Sequence, residues 1–342
     1  MPEYYFIFLF FTSCILSVFL FWIVLEVFSS KKFTGWRWRD EVRKEKKSII
    51  RWGGALSIVI LFLCILGNPY LVITPDIVWL LLGCFFLLLV GLWDDFYPLN
   101  WKWQLFWQLS IISCIVFFGD ITIESLPNPF GTERLILSQQ WLLFGSLGAL
   151  IWFIFIINAL NWIDGIDGLA PGIIVVASLA LGLVALRPEV LQPPVAIVSF
   201  IFAGTFFALW LFNIFPARFF TGTSGIYVAG FFLAYVSLFA GAKIATAFLV
   251  LSLPLLDVFR VLFWRAFSRK PLTHPDMNHI HHSLLSFGWS VRTVSFILLL
   301  FASFLGLITL FGHTKEKIGA CIFVALLFVW FMYGEYRKKK VY

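Results

Sequence analysis

Residues 141–170 read Trp-Leu-Leu-Phe-Gly-Ser-Leu-Gly-Ala-Leu-Ile-Trp-Phe-Ile-Phe-Ile-Ile-Asn-Ala-Leu-Asn-Trp-Ile-Asp-Gly-Ile-Asp-Gly-Leu-Ala. Up to Ile157 this is uncharged, strongly apolar sequence, long enough to cross a bilayer as a helix. Behind it come two amides, Asn158 and Asn161, and two acids, Asp164 and Asp167, each acid followed directly by a glycine, Gly165 and Gly168. Asn158, Asn161 and Asp164 are spaced three apart, which places them on one face of a helix. The glycines allow the backbone to turn and to approach a ligand closely. Hydrocarbon solvates charge poorly, so acids at the end of a membrane helix mark a substrate, ion or proton site more often than they mark packing.

The rest of the chain repeats the pattern. Of 342 residues, 61% are hydrophobic and 13% charged, with a mean hydropathy of +0.95. Soluble domains carry about 25% charged residues, so the chain is expected to be an all-α, polytopic integral membrane protein. Spans are expected near 4–28, 52–68, 76–93, 103–119, 141–160, 169–186, 194–212, 225–241, 243–259, 291–311 and 317–335, about eleven transmembrane helices in a single domain, 1–342. The first span lacks a small-residue cleavage site and reads as a retained helix. With the N-terminus outside, all 25 basic residues except Arg134, Arg187, Lys243, Lys315 and Lys317 fall on the inner side. That asymmetry predicts an N-out, C-in orientation.

The net charge of +7 then reads as topogenic charge and contact with anionic headgroups. No soluble basic domain is present to bind nucleic acid. All five cysteines fall inside apolar spans, so neither disulfides nor a cysteine-based metal site is expected. The tryptophans at span ends, such as Trp101, Trp103 and Trp107, read as interfacial anchors.

On this topology the unusual polar clusters sort onto the cytoplasmic face. Asp94-Asp95 closes the third span and Asn158 to Asp167 the fifth. Asn213 to Gly225 follows the seventh span, and Asp257 to His282 the ninth. Residues 120–140 read as an extracytoplasmic hairpin or lid. An acid pair alone can be an interface or capping feature, and three histidines alone can be a solvated loop or a zinc site. With Arg265, Arg269 and Lys270 nearby, the imidazoles fit anion binding better. Four distant segments meeting on one face suit phosphate-group transfer between a water-soluble and a lipid partner, with Mg²⁺ bridging a diphosphate. An ion-coupled transport path is the contrasting reading. Carriers, however, place their sites near mid-membrane and often show inverted repeats, whereas these acids sit at helix ends and no internal repeat is evident.

Arg51-Trp-Gly-Gly54, Asp94-Asp95 followed by Lys102 and Gln108, Asn158 to Ala170, Asn213-Ile-Phe-Pro-Ala217 and His279-Ile-His-His282 occur in that order. Together, over about residues 46–285, they resemble the polyprenyl-phosphate N-acetylhexosamine-1-phosphate transferase superfamily (glycosyltransferase family 4). Within it the chain looks most like the bacterial undecaprenyl-phosphate GlcNAc-1-phosphate transferases that start O-antigen, common antigen or similar surface glycans. The resemblance implies transfer of HexNAc-1-phosphate from a UDP-N-acetylhexosamine to undecaprenyl phosphate, with release of UMP, at the cytoplasmic side of the bacterial inner membrane. It implies Mg²⁺, with Mn²⁺ as the substitute, and leaves room for a homodimer. Carried over by position, Asp94 and Asp95 handle the acceptor phosphate, with Asp94 as the base. Lys102 balances phosphate charge and Asn161 touches the metal. Asp164 and Asp167 hold the uridine or the sugar diphosphate, and Asn213 contacts the nucleotide. His279, His281 and His282 contact phosphate or sugar, and Lys46 in the basic loop before Arg51 meets phosphate.

The match breaks at the metal. Where the superfamily reads Gly-Asp-x-Gly-Ser, with that Asp a principal Mg²⁺ ligand, this chain has Gly222-Thr223-Ser224-Gly225-Ile226. A neutral hydroxyl is a far poorer magnesium ligand than a carboxylate. Met277 replaces an expected Arg, and Ser48-Ile49-Ile50-Arg51 replaces a proline-rich approach to the glycine pair. The expectation is an active enzyme with a rearranged metal site using Asp94, Asp95 or Asp167. The alternative is a weakened homologue with a binding or scaffolding role.

Overall fold

The computed structural model describes residues 4–29, 50–123, 125–126, 135–136, 142–239, 244–267, 279–312, 316–317, 319–327 and 329. Over these the chain is helical, in the order α1 (Tyr4–Ser29), α2 (Gly53–Leu66), α3 (Pro75–Phe96), α4 (Trp101–Phe118), α5 (Leu142–Ile163), α6 (Leu169–Ala185), α7 (Pro193–Asn213), α8 (Gly222–Phe239), α9 (Ile244–Val250), α10 (Ser252–Phe267), α11 (Ile280–Ser286) and α12 (Val291–Phe311). Between α4 and α5 a two-residue antiparallel pair joins β1 (Ser125–Leu126) to β2 (Leu135–Ile136). Among the described residues six helices, α1, α3, α5, α7, α8 and α12, are long and apolar enough to cross a membrane. The protein is thus a polytopic, all-helical membrane protein.

Local sequence sets the helix ends. Pro75 and Pro193 occupy first-turn positions, where a missing N–H costs nothing. Asn100 caps α4 by accepting the Lys102 N–H at 3.2 Å, and Ser290 caps α12 by accepting that of Thr293 at 3.1 Å. The expected span 243–259 is corrected. It is two helices, α9 and α10, parted at Leu251. Pro254, in the first turn of α10, has no N–H to donate back to Val250, so the helical bonding cannot run through.

α8 is the hub. It packs on α2, α3 and α5 as well as on α6, α7 and α9, and every residue from Ser224 to Ser237 is buried. Small residues make this crowding possible, because two membrane helices can approach closely only where side chains are absent. Gly54 of α2 meets Gly225 of α8, Gly91 of α3 meets Ser224, and Gly83 of α3 receives the Phe231 ring. Farther along, Gly230 of α8 rests on Ile157 of α5. Phe232 stacks on Phe202 of α7 at 3.9 Å between centroids, nearly parallel. By contrast α1 shows a largely exposed apolar surface, including Phe8, Phe11, Ile15, Phe19 and Trp22, as a lipid-facing helix does.

The entry to α2 is tied to the approach to α8 through the backbone. Ile50 accepts from Phe220 at 2.8 Å, and the Gly53 and Gly54 N–H groups donate to Phe220 and Thr221 at 3.1 and 2.9 Å. The otherwise unpaired donors at the start of α2 are thereby satisfied by the strand-like approach to α8. A Cβ at Gly54 would strike backbone atoms of both Gly225 and Thr221. Gly54→Val is therefore expected to cost at least about 3 kcal/mol, the upper end of overpacking losses. It should appear as a marked fall in the thermal midpoint of the detergent-solubilised protein. Gly319→Ala, where a Cβ meets nothing within 4 Å, should leave the midpoint unchanged.

Candidate active site

The C-terminal ends of α3, α5 and α7 and the N-terminal ends of α4 and α8 meet at one end of the bundle. Asp94 and Asp95, both buried, lie on the last turn of α3. Asp95 faces the start of α8. Its Oδ1 accepts the Thr223 N–H at 2.7 Å, and its Oδ2 accepts the Ser224 N–H at 3.1 Å and the Ser224 hydroxyl at 2.5 Å. A carboxylate carried by α3 thus caps α8, where free N–H groups and the helix dipole favour negative charge. Gly222, at φ +71°, makes the turn into the helix, and a Cβ there would press on the Arg51 carbonyl and the Asp95 carboxylate. The positive charge of Arg51 also acts on Asp95.

Asp94 is held differently. Its Oδ1 accepts the Leu99 N–H at 2.7 Å and the Gln104 amide at 2.9 Å, while Oδ2 accepts the Thr223 hydroxyl at 2.6 Å. Thr223 therefore bridges the acid pair, its N–H on Asp95 and its hydroxyl on Asp94. Two residues earlier on the same segment, the Thr221 hydroxyl reaches Asp164 Oδ1 at 3.4 Å. The adjacent pair Asp94 and Asp95 and the distant Asp164 all touch residues 221–224.

The end of α5 acts as the spine of the site. Asn158 donates to Gln108 of α4 at 2.8 Å, and Asn161 is partly exposed on the last turn. Beyond the helix, Asp167 is buried and its Oδ2 accepts the Ala217 N–H at 3.1 Å. Asn213, at the end of α7, is also buried. Its Oδ1 accepts the Gly168 N–H and its Nδ2 donates to the Phe219 carbonyl, each at 2.7 Å. Asn213 therefore directs its amide to the two loops it joins. Lys102 is exposed, with its ammonium 5.8 Å from the centre of the Trp101 ring. Lys46 lies outside the described residues.

The histidines attach to the same spine. Trp162 of α5 meets the His279 ring edge-on at 5.8 Å and carries the Arg265 guanidinium 5.4 Å from its ring centre. His279 stacks with His281 at 5.7 Å, and His281 contacts His282 at 4.3 Å. His281 is fully buried, wedged so tightly against Gly165 that a Cβ there would collide with its Nε2. Neither of its ring nitrogens has a hydrogen-bond partner among the described residues. Burial pushes the imidazole down to about 3, so His281 is neutral at physiological pH and offers one donor and one acceptor.

Sequence reasoning passed over Gln104 and Ser224, which fix the acid pair, and gave no role to Asp257, which binds His279. Asp257 and Arg260 stand three apart in an apolar helix, and a buried opposite-charge pair at that spacing was the available signal.

Magnesium can be tested against this donor set. Among the described residues no three His, Cys, Asp or Glu side chains stand close enough to hold a metal ion between them. Both oxygens of Asp95 are occupied by the start of α8, and Asp167 is bound to the Ala217 backbone. Asp94 Oδ2 faces a hydroxyl, Asn161 lies on the last turn of α5, and Asp164 directly follows that helix. One or two carboxylates and an amide do not cage an ion. They do fit Mg²⁺ that keeps several waters and is carried by substrate phosphates.

The profile described as Glycosyl transferase family 4 matches residues 77–241, a range that takes in Asp94 and Asp95, the spine and the start of α8. A probable undecaprenyl-phosphate N-acetylglucosaminyl 1-phosphate transferase of Bacillus subtilis is 28% identical over 256 residues, which are 73% of this chain and 69% of the relative. An undecaprenyl-phosphate alpha-N-acetylglucosaminyl 1-phosphate transferase of Yersinia pestis is 26% identical over 266 residues, 75% of this chain and 71% of its own. The protein of that description from Escherichia coli K12 is 25% identical over 335 residues, 94% of this chain and 89% of the relative. The site is thus built within residues 77–241, the region that is similar to glycosyl transferase family 4.

Proposed function

We propose that this phosphoglycosyl transferase joins an N-acetylhexosamine 1-phosphate, supplied as a UDP-sugar, to undecaprenyl phosphate, releasing UMP and starting a bacterial surface glycan. The convergence of Asp94, Asp95 and Asp164 on residues 221–224, inside the matched region, carries the reading. The relatives' names supply the lipid acceptor and the sugar. The skew of basic residues supports an N-out, C-in chain acting as one domain, with the site on the cytoplasmic side of the inner membrane.

The two neighbouring acids divide the work because their partners differ. Asp95 has a backbone N–H, which can only donate, on each of its oxygens, with the Ser224 hydroxyl besides, so neither oxygen can carry a proton without opposing a donor, and it serves as the cap. Asp94 Oδ2 faces the Thr223 hydroxyl, which can turn from donor to acceptor. Asp94 can therefore take up a proton without leaving two donors, or two lone pairs, in opposition. In the reaction an oxygen of the acceptor phosphate forms a bond to the sugar-bearing phosphorus, and the bond from that phosphorus to UMP breaks. The acceptor's proton, where present, passes to Asp94. Lys102 balances phosphate charge, the histidines contact phosphate or sugar as hydrogen-bonding groups, and Asn161 and Asp164 face the donor. Asp94 and Asn161 would hold Mg²⁺ carried by the diphosphate, and the ion would supply charge neutralisation at the phosphate oxygens.

Purified protein supplied with undecaprenyl phosphate and a panel of UDP-HexNAc donors should release UMP and form lipid-linked product, and a chelator should stop it. Asp94→Asn should lower turnover at least about a hundredfold, the scale of a lost general base, while expression and the thermal midpoint hold. Normal turnover in that variant would remove Asp94 from the role of base.

Thr223, neutral where a family acid is expected, favours a second reading, a binding protein with little turnover. Thr223→Asp separates the two. Its carboxylate would stand against Asp94, so the variant should lose thermal stability in chelator and regain it in millimolar Mg²⁺. An inactive wild type together with an active variant would establish the second reading; an active wild type would show that the hydroxyl suffices.

A further inference from the structure

Asp257 has no part in the reaction described above, yet its contacts single it out. It lies on α10, only 1% exposed in its side chain. Its two oxygens do different things. Oδ1 accepts the Ile280 N–H at 2.8 Å and Arg260 Nη2 at 3.2 Å, while Oδ2 stands 2.7 Å from His279 Nδ1. Arg260 and a backbone N–H on the other oxygen favour the ionised carboxylate, which accepts hydrogen bonds and has none to give. His279 Nδ1 must then carry the proton. This fixes both the tautomer and the rotation of the ring, and it leaves Nε2, across the ring, for any ligand. Trp162, one residue after Asn161, meets the same ring edge-on. His279 retains 12% exposure while the acid behind it is sealed.

We infer that Asp257 is a positioning residue for the donor, acting through His279, whose Nε2 it presents to a phosphate of the UDP-sugar beside the last turn of α5. The inference rests on the proposed transferase reading. A carboxylate behind an imidazole does for a phosphate-facing histidine what it does for a metal-binding one: it orients the ring and raises the basicity of the far nitrogen.

The test is a double-mutant cycle on the full-length protein in detergent, using Asp257→Asn, His279→Gln and the pair. An asparagine offers one acceptor oxygen where the site uses two, so His279 or Ile280 loses its partner. Asp257→Asn should raise the KM for UDP-sugar about tenfold, the scale of one charged hydrogen bond, and leave the KM for undecaprenyl phosphate within about twofold. Added to His279→Gln, it should cause no further loss, because its effect runs through that ring. Losses that multiply, or KM values that rise together for both substrates, would reduce Asp257 to a brace for α11 and overturn the inference. Asp257→Glu keeps the charge but displaces it by a methylene, and it guards against a folding failure of the first variant. It too should shift only the donor KM, and an unchanged donor KM would count against the inference. A wild type without turnover would sink the transferase reading itself. Equilibrium binding of UDP to the same variants would then decide the role of Asp257, which predicts weaker binding in both single variants and no added loss in the pair.

Discussion

The carboxylate of Asp95, carried by one helix and ending another, is the contact on which the remainder depends. The first N–H groups of a helix buried in a membrane protein have no water to turn to, and leaving them bare costs several kcal/mol each. Asp95 satisfies two of them and the Ser224 hydroxyl besides. Because α8 touches most of the bundle, the point at which it begins sets the register of its neighbours. Starting at Gly222, it brings Gly225 against Gly54, Ser224 against Gly91 and the Thr223 hydroxyl onto Asp94.

The adjacent acids show how little of a carboxylate's role lies in its own chemistry. Asp94 and Asp95 are consecutive and both buried. One has a backbone donor on each oxygen, with the Ser224 hydroxyl besides, and becomes part of the scaffold; the other has the Leu99 N–H and the Gln104 amide on one oxygen, and keeps a second whose partner, a hydroxyl, can reverse. Thr223 acts in both, through its backbone on one side and its side chain on the other. A change of side chain at this position therefore bears on both acids at once.

Much of the architecture was legible because the bilayer leaves few options for apolar sequence. The helices α1 to α8 and α12 fall where the apolar runs do, and the hairpin between α4 and α5 has its antiparallel pair within 120–140. The exception, the break before α10, is written in Pro254, but a count of apolar residues does not register a missing N–H. The grouping of the acids could be read from their place at span ends, since lipid excludes them elsewhere. The division between Asp94 and Asp95 could not, because it depends on Gln104, Thr223 and Ser224 arriving from other helices. Asn213 illustrates the same limit: an amide in a polar cluster looks like a ligand-binding group until its partners, the backbone of Gly168 and of Phe219, are known. Asp257 is the converse, an acid that reads as a helix-end charge until His279 is found on it.

The Asn213 amide has a thermodynamic meaning as well. It joins the bend after α5 to the approach to α8, two irregular segments that would each be free to sample many backbone shapes. With donor and acceptor both engaged and the side chain buried, their conformational freedom is surrendered when the chain folds. A substrate arriving at this end of the bundle then finds its floor already set, and more of its contact energy remains as affinity because little goes to ordering the protein. Loosening that single side chain would weaken binding through entropy, at a residue that need never touch the substrate.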